Sequence, residues 1–131
     1  MSEQENLKTI QAVYAAFGRG DVAFIVDQLT DDIRWVSHFD AIVPWSGDFS
    51  GKDRIPGFFD AIFQSVEVEA FEPKEWITEG DAVVSLGEFG CRVVKTGKKS
   101  RTRWVFIWKF RAGKICSYEQ FHDPALAAAF Q

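Results

Sequence analysis

The apolar positions change period once along the chain, from helical in the first half to alternating in the second. Leu7, Ile10, Val13, Tyr14 and Phe17 recur at helical spacing, with Ser2 and Glu5 placed as a capping box and Gly18 and Gly20 as a stop. Asp21 is a good N-cap for a second, short helix carrying Phe24, Ile25, Gln28 and Leu29 on one side. Thr30-Asp31-Asp32 is expected to break it, and Ile33 to His38 alternates as a strand. A loop from Phe39 to Gly51 holds Pro44, Trp45 and two glycines. Ile55, Phe58, Phe59, Ile62 and Phe63 then form the apolar face of a third helix, with Pro56 tolerable near its start.

After Val66 the pattern is that of antiparallel strands joined by hairpins at Gly80-Asp81, Thr96-Gly97 and Ala112-Gly113. The strands run over 66–71 with 74–79, then 82–94, 101–111 and 115–122; Asp123-Pro124 ends the sheet before a short terminal helix over 125–130. Helices first and a meander afterwards predict an α+β fold rather than a parallel nucleotide-binding one. Two-residue turns fix register, and register fixes faces. The last hairpin then pairs Phe110 with Ile115, Trp108 with Ser117, Phe106 with Glu119 and Trp104 with Phe121. The expected inner wall is Trp76, Phe89, Trp104, Phe106, Trp108 and Phe121, with Glu119 among the rings. Val105, Ile107, Cys116, Tyr118, Gln120 and His122 are assigned outward.

Composition narrows the function classes. The chain has 131 residues, the size of a single domain over 1–131, and 47 % of them are hydrophobic, including 13 Phe and 5 Trp. A net charge of −4 gives no bulk attraction to nucleic acid. No apolar run approaches the roughly 20 residues that span a bilayer. The N-terminus is acidic and polar rather than basic and then apolar, and two well-separated cysteines suggest neither disulfide nor metal site, so a cytoplasmic location is expected. Lys95, Lys98, Lys99, Arg101 and Arg103 lack interleaved aromatics and read as a solvated hairpin tip. No phosphate-binding glycine loop or metal-ligand spacing is present, and no cofactor is expected.

Glu119 is the sharpest chemical feature. A carboxylate among rings is costly to ionise unless it is paired. It is therefore either an acid/base with a raised pKa or a partner for an arginine reaching in from another element. His38, at the end of the first strand, is a second proton carrier or an exposed strand-end residue. Tyr14 is a hydrogen-bond donor to the ligand or a satisfied core tyrosine. Trp45 is a lid or plug, and Asp123 a strand stop or a pocket residue.

These residues resemble the ketosteroid isomerase and SnoaL-like polyketide cyclase group of the nuclear transport factor 2-like superfamily. The resemblance runs through Asp31-Asp32-Ile33-x-Trp35, Pro44-Trp45-Ser46-Gly47, Gly51-Lys52-Asp53, Trp108-x-Phe110-x-x-Gly113-Lys114-Ile115 and Phe121-x-Asp123. It implies a cystatin-like roll: a bent, cone-shaped antiparallel sheet around a pocket closed by the N-terminal helices. It also implies homodimers through the outer sheet face, which suits Val105, Ile107 and Tyr118. The catalytic residues transfer poorly. The isomerases' base falls on Ser37, and the cyclases' Asp and His fall on Glu119 and Phe106; the Asp-Arg-Asp arrangement of limonene-epoxide hydrolases has no arginine on the right face. The tyrosine that donates to an oxyanion in the isomerases is matched by Tyr14. The expected catalytic residues are thus Glu119, His38 and Tyr14. The expected ligand contacts are Trp45, Phe63, Trp76, Phe89, Trp104, Phe106, Trp108, Phe121 and Asp123. Two functions remain open: a cofactor-free acid/base isomerase, cyclase, dehydratase or hydratase acting on a small apolar ring, and a non-catalytic binder of a small hydrophobic molecule.

Overall fold

The computed structural model describes residues 2–131. Helix α1 (Glu3–Gly18) begins with the Ser2 side chain accepting from the Glu5 amide, and α2 (Val22–Asp27) begins with Asp21 accepting from Phe24. Strand β1 (Leu29–His38) and the two-residue β2 (Gly47–Asp48) precede α3 (Ile55–Ser65). Strands β3 (Val66–Glu79), β4 (Ala82–Val93), β5 (Lys99–Arg111) and β6 (Lys114–His122) follow, and α4 (Ala125–Ala128) ends the chain. One open six-stranded sheet results, in the order β2-β1-β6-β5-β4-β3. The helices cover its inner face.

Most expected elements are present, with departures in β1, β3 and β6. Thr30, Asp31 and Asp32 do not separate α2 from the first strand but lie within β1. That strand pairs parallel with β6, so the sheet is mixed rather than wholly antiparallel. Expected strands 66–71 and 74–79 form the single strand β3, bent by register shifts at Val68/Ala70 and Pro73/Glu75. Gly87 on β4 is required by close packing: a Cβ there would lie 2.4 Å from Trp104 Cζ2 and from the Glu72 carbonyl oxygen.

The decisive departure is in β6. Ala112 and Gly113 form the expected two-residue turn, both at positive φ (51° and 80°), and Phe110 pairs with Ile115. Lys109 then pairs with Ser117, leaving Cys116 as an extra residue. This bulge moves every later pair by one: Trp108 faces Tyr118, Phe106 faces Gln120 and Trp104 faces His122. Side chains alternate with a period of two, so a one-residue slip exchanges the faces. Tyr118, Gln120 and His122 turn inward, against expectation, while Glu119 and Phe121 turn outward. On β4, Val83, Ser85 and Gly87 pair with Trp108, Phe106 and Trp104, two residues out of the register that a two-residue turn at Thr96-Gly97 would set. An even shift keeps the faces, so Phe89 stays inward as expected.

Candidate functional site

Beneath the helices lies a cavity of about 50 Å³ walled almost wholly by rings. Val13, Tyr14 and Phe17 of α1, Ile25 of α2, and Phe58, Phe59 and Ile62 of α3 form its roof. The sheet supplies Trp35, Phe71, Phe89, Phe106, Trp108, Tyr118, Gln120 and His122. Trp45, buried to 2 % exposure, closes the loop side as a plug. Of the expected ligand contacts, Trp45, Phe89, Phe106 and Trp108 therefore line the cavity, and Tyr14 does too.

The others lie elsewhere. Trp104 is on the inner face but sits behind the cavity wall, its ring stacked on Phe106 at 3.9 Å and on Phe71 at 5.1 Å. Trp76 packs against Tyr14, with centroids 5.3 Å apart, and is not a lining residue. Phe63 is 41 % exposed on the outside of α3, where its ring stacks on Phe17. Phe121 is 40 % exposed on the outer sheet face. Asp123 is exposed and accepts from the Ala125 amide at 2.9 Å, the strand-stop role. Phe121 and Asp123 border a second, outer groove of about 540 Å³ with Leu86, Arg103 and Val105, and Trp104 and His122 reach this groove from its inner end.

Glu119 is the principal correction. On the outer face it meets β1 residues of the same parity: Arg34 Nη1 lies 2.7 Å from one carboxylate oxygen and His38 Nε2 2.9 Å from the other. The hydrogen bond from His38, then that from Arg34, holds its carboxyl below the usual range, the reverse of the expected rise. His38 stacks on Phe121 at 4.5 Å and is equally remote from the cavity. Neither residue reaches the interior. The strand carrying Arg34 and His38 lies beside β6 through a parallel pairing that no hairpin announces.

Three polar side chains of β6 point into the cavity instead. His122, assigned outward from the sequence, rests among Phe39, Phe89 and Phe106, with ring centroids 4.4, 5.9 and 5.8 Å away. Its Nδ1 is buried without a partner, and burial pushes its pKa down to about 3. The imidazole is therefore neutral at physiological pH and has an unengaged nitrogen. Gln120 accepts from the Ser37 hydroxyl at 2.8 Å and donates to the Tyr118 hydroxyl. Tyr14 has its hydroxyl filled on two sides, by Trp108 Nε1 at 2.8 Å and Ser85 Oγ at 2.5 Å; burial raises its pKa. The signal for this group was the cost of Glu119 among rings, which a slipped register removes.

The fold and cavity fit what comparison shows. A family model for the SnoaL-like domain matches residues 10–118, and the chain belongs to that family, within the nuclear transport factor 2-like superfamily. The match ends at Tyr118, just short of Gln120 and His122. A nuclear transport factor 2-like protein from Burkholderia xenovorans is 30 % identical over 100 % of this chain and 99 % of its own, with a TM-score of 0.90. TerC, co-crystallised with polyporic acid, is 25 % identical over 96 % of this chain and 98 % of its own, with a TM-score of 0.81. A proposed SnoaL-like polyketide cyclase from Mesorhizobium loti shares the fold at 16 % identity, over 88 % and 97 %, with a TM-score of 0.72. No curated protein matches the chain.

The ion pairs of Glu119 have a signed consequence. A depressed folded-state pKa gives stability that is present above the unfolded value, about 4.3, and is lost as pH falls through the folded one. Glu119→Gln should therefore lower the urea midpoint at pH 7, by at most about 1 kcal/mol for so exposed a cluster. The gap from the native protein should narrow as pH falls below the ordinary glutamate value and close once the carboxyl is protonated in both states. A gap that widens toward acid would contradict the pairing.

Proposed function

We propose that the protein is a cofactor-free acid/base enzyme, an isomerase or cyclase, acting on a small, neutral, ring-containing substrate held in the inner cavity. The observation that carries this reading is His122: a neutral imidazole with a free buried nitrogen, on the wall of a ring-lined cavity. In the proposed reaction the imidazole accepts a proton from a carbon next to a carbonyl, and the C–H electron pair passes into an enolate. The imidazolium returns that proton at a second carbon, giving isomerisation. Alternatively the enolate carbon attacks a second carbonyl carbon of the same molecule, and the C=O electron pair moves onto oxygen. The imidazolium then returns its proton to that alkoxide, giving a ring bearing a hydroxyl. A base of low pKa suffices, because the imidazolium forms beside a new negative charge that stabilises it in a low-dielectric site.

The family supports the class of chemistry, and TerC, co-crystallised with polyporic acid, supports ligand binding on this fold. A space of about 50 Å³ holds a few waters. A six-membered ring needs more, and half-buried Phe17, lining the cavity and stacked on exposed Phe63, is the side chain whose outward swing would provide it.

Isomerisation of 3-cyclohexen-1-one to the conjugated 2-cyclohexen-1-one, followed by ultraviolet absorbance, tests the reading. The native protein should exceed the buffer rate, and His122→Gln should lose about a hundredfold or more of that acceleration. Glu119→Gln should keep it. No acceleration, or an active His122→Gln variant, would overturn the proposal; binding without turnover would leave a small-molecule binder of the same fold.

We also propose a homodimer through the outer sheet face. Tyr118 is not part of it, since it points inward. Val84, Leu86, Val105 and Ile107 are half-exposed there, and Ile77 and Phe121 more so. Sedimentation equilibrium should show a dimer that Ile107→Glu converts to monomer. A single 14.9 kDa species for the native chain at micromolar concentration would contradict it.

A further inference from the structure

We propose that Tyr118 is the cavity's hydrogen-bond donor to a ligand carbonyl oxygen, oriented by a one-way chain that runs from Ser37 through Gln120. This deepens the reading of the cavity as the ligand site and rests on it.

Counting donors and acceptors carries the inference. Ser37 of β1 and Gln120 of β6 are register partners, and both are buried. Their parallel pairing brings the two side chains together, and the Ser37 hydroxyl donates to Gln120 Oε1 at 2.8 Å. A primary amide has a carbonyl oxygen that only accepts and a nitrogen that only donates. With its oxygen turned to Ser37, Gln120 presents Nε2 to Tyr118 and donates to the phenolic oxygen. Tyr118 thus receives a hydrogen bond and keeps its own O–H. Among the described residues nothing accepts that proton, and the side chain lines the cavity.

A buried donor without an acceptor costs free energy that a ligand oxygen can recover. The incoming bond from Gln120 also polarises the phenol, since linked hydrogen bonds strengthen one another. Burial keeps the phenol protonated, so it stays a donor throughout the physiological range. Tyr14 differs: Trp108 Nε1 and Ser85 Oγ already occupy its hydroxyl. Tyr118 and His122 both border the Phe106 ring, with centroids 5.5 and 5.8 Å from it. A small ring lying over Phe106 would thus have a donor on one side and a proton acceptor on the other. That arrangement selects a ketone with an acidic neighbouring C–H. In the proposed reaction Tyr118 donates to the oxygen as the enolate charge develops there, and keeps its proton.

The test compares cyclohexanone with methylenecyclohexane, which replaces the oxygen by a methylene of similar shape. Binding is followed by tryptophan fluorescence, and the bound ketone by its infrared carbonyl stretch. In Tyr118→Phe the ketone-to-alkene affinity ratio should fall about tenfold, with alkene affinity kept within twofold. The bound carbonyl stretch should lie below its value in an apolar solvent for the native protein and return to it in that variant. Ser37→Ala, which touches neither ligand nor Tyr118, should weaken the infrared shift while leaving alkene binding intact. It also supplies the readout if Tyr118→Phe does not fold. An unchanged ratio, or a native carbonyl stretch equal to the apolar-solvent value, would overturn the donor role alone. Failure of the native protein to bind either compound would overturn the ligand-cavity reading and this proposal with it.

Discussion

The extra residue at Cys116 governs the chemistry of this interior. A β-strand presents alternate residues to each face, so inserting one residue after Ile115 exchanges the faces of the rest of β6. The alternative register would place Glu119 and Phe121 against the rings, with no basic side chain of β5 or β6 on their face. Desolvating a carboxylate there costs far more than desolvating a neutral imidazole, amide or phenol. With the bulge, the carboxylate meets Arg34 and His38 on the outside and the three neutral groups go inside. The parallel neighbour β1 fits this register, because Arg34 and His38 share one face and Trp35 and Ser37 the other.

Polar groups inside an aromatic wall must be satisfied or be available to something else. Tyr14, Ser85 and Trp108 close on one another, and Ser37 and Gln120 spend their groups on each other and on Tyr118. What remains open on the cavity wall is the Tyr118 proton, the Trp35 Nε1–H and His122 Nδ1. All three groups are neutral, so the cavity suits a neutral molecule whose charge appears only during reaction. Stacked pairs such as Trp104–Phe106 and Phe71–Trp104 hold the wall behind them.

Much of this was legible from the residues. The helical faces, the hairpins at Gly80-Asp81 and Ala112-Gly113, and the ring-bearing faces of β4 and β5 follow from period and turn chemistry. The family resemblance, carried by ordered short motifs, named the fold. Less visible was the parallel β1–β6 pair, since no local turn joins strands so far apart in sequence. The polar start of β1 hid its first turn of chain, because Thr30 to Asp32 carry few of the apolar residues that mark a strand. The bulge was hidden because turn arithmetic assumes an uninterrupted ladder. The cost of placing Glu119 among rings was the clue to it, and an inward Tyr118, Gln120 and His122 was the solution the same residues allowed.

The inward placement of His122 is tested most directly by nuclear magnetic resonance of its imidazole nitrogens from pH 8 to pH 4, assigned by loss of the signal in His122→Gln. A ring buried among Phe39, Phe89 and Phe106 should remain neutral across that range, in keeping with a pKa near 3. Protonation with a midpoint near the ordinary histidine value of about 6.5 would place the ring in water and contradict the register on which the site depends.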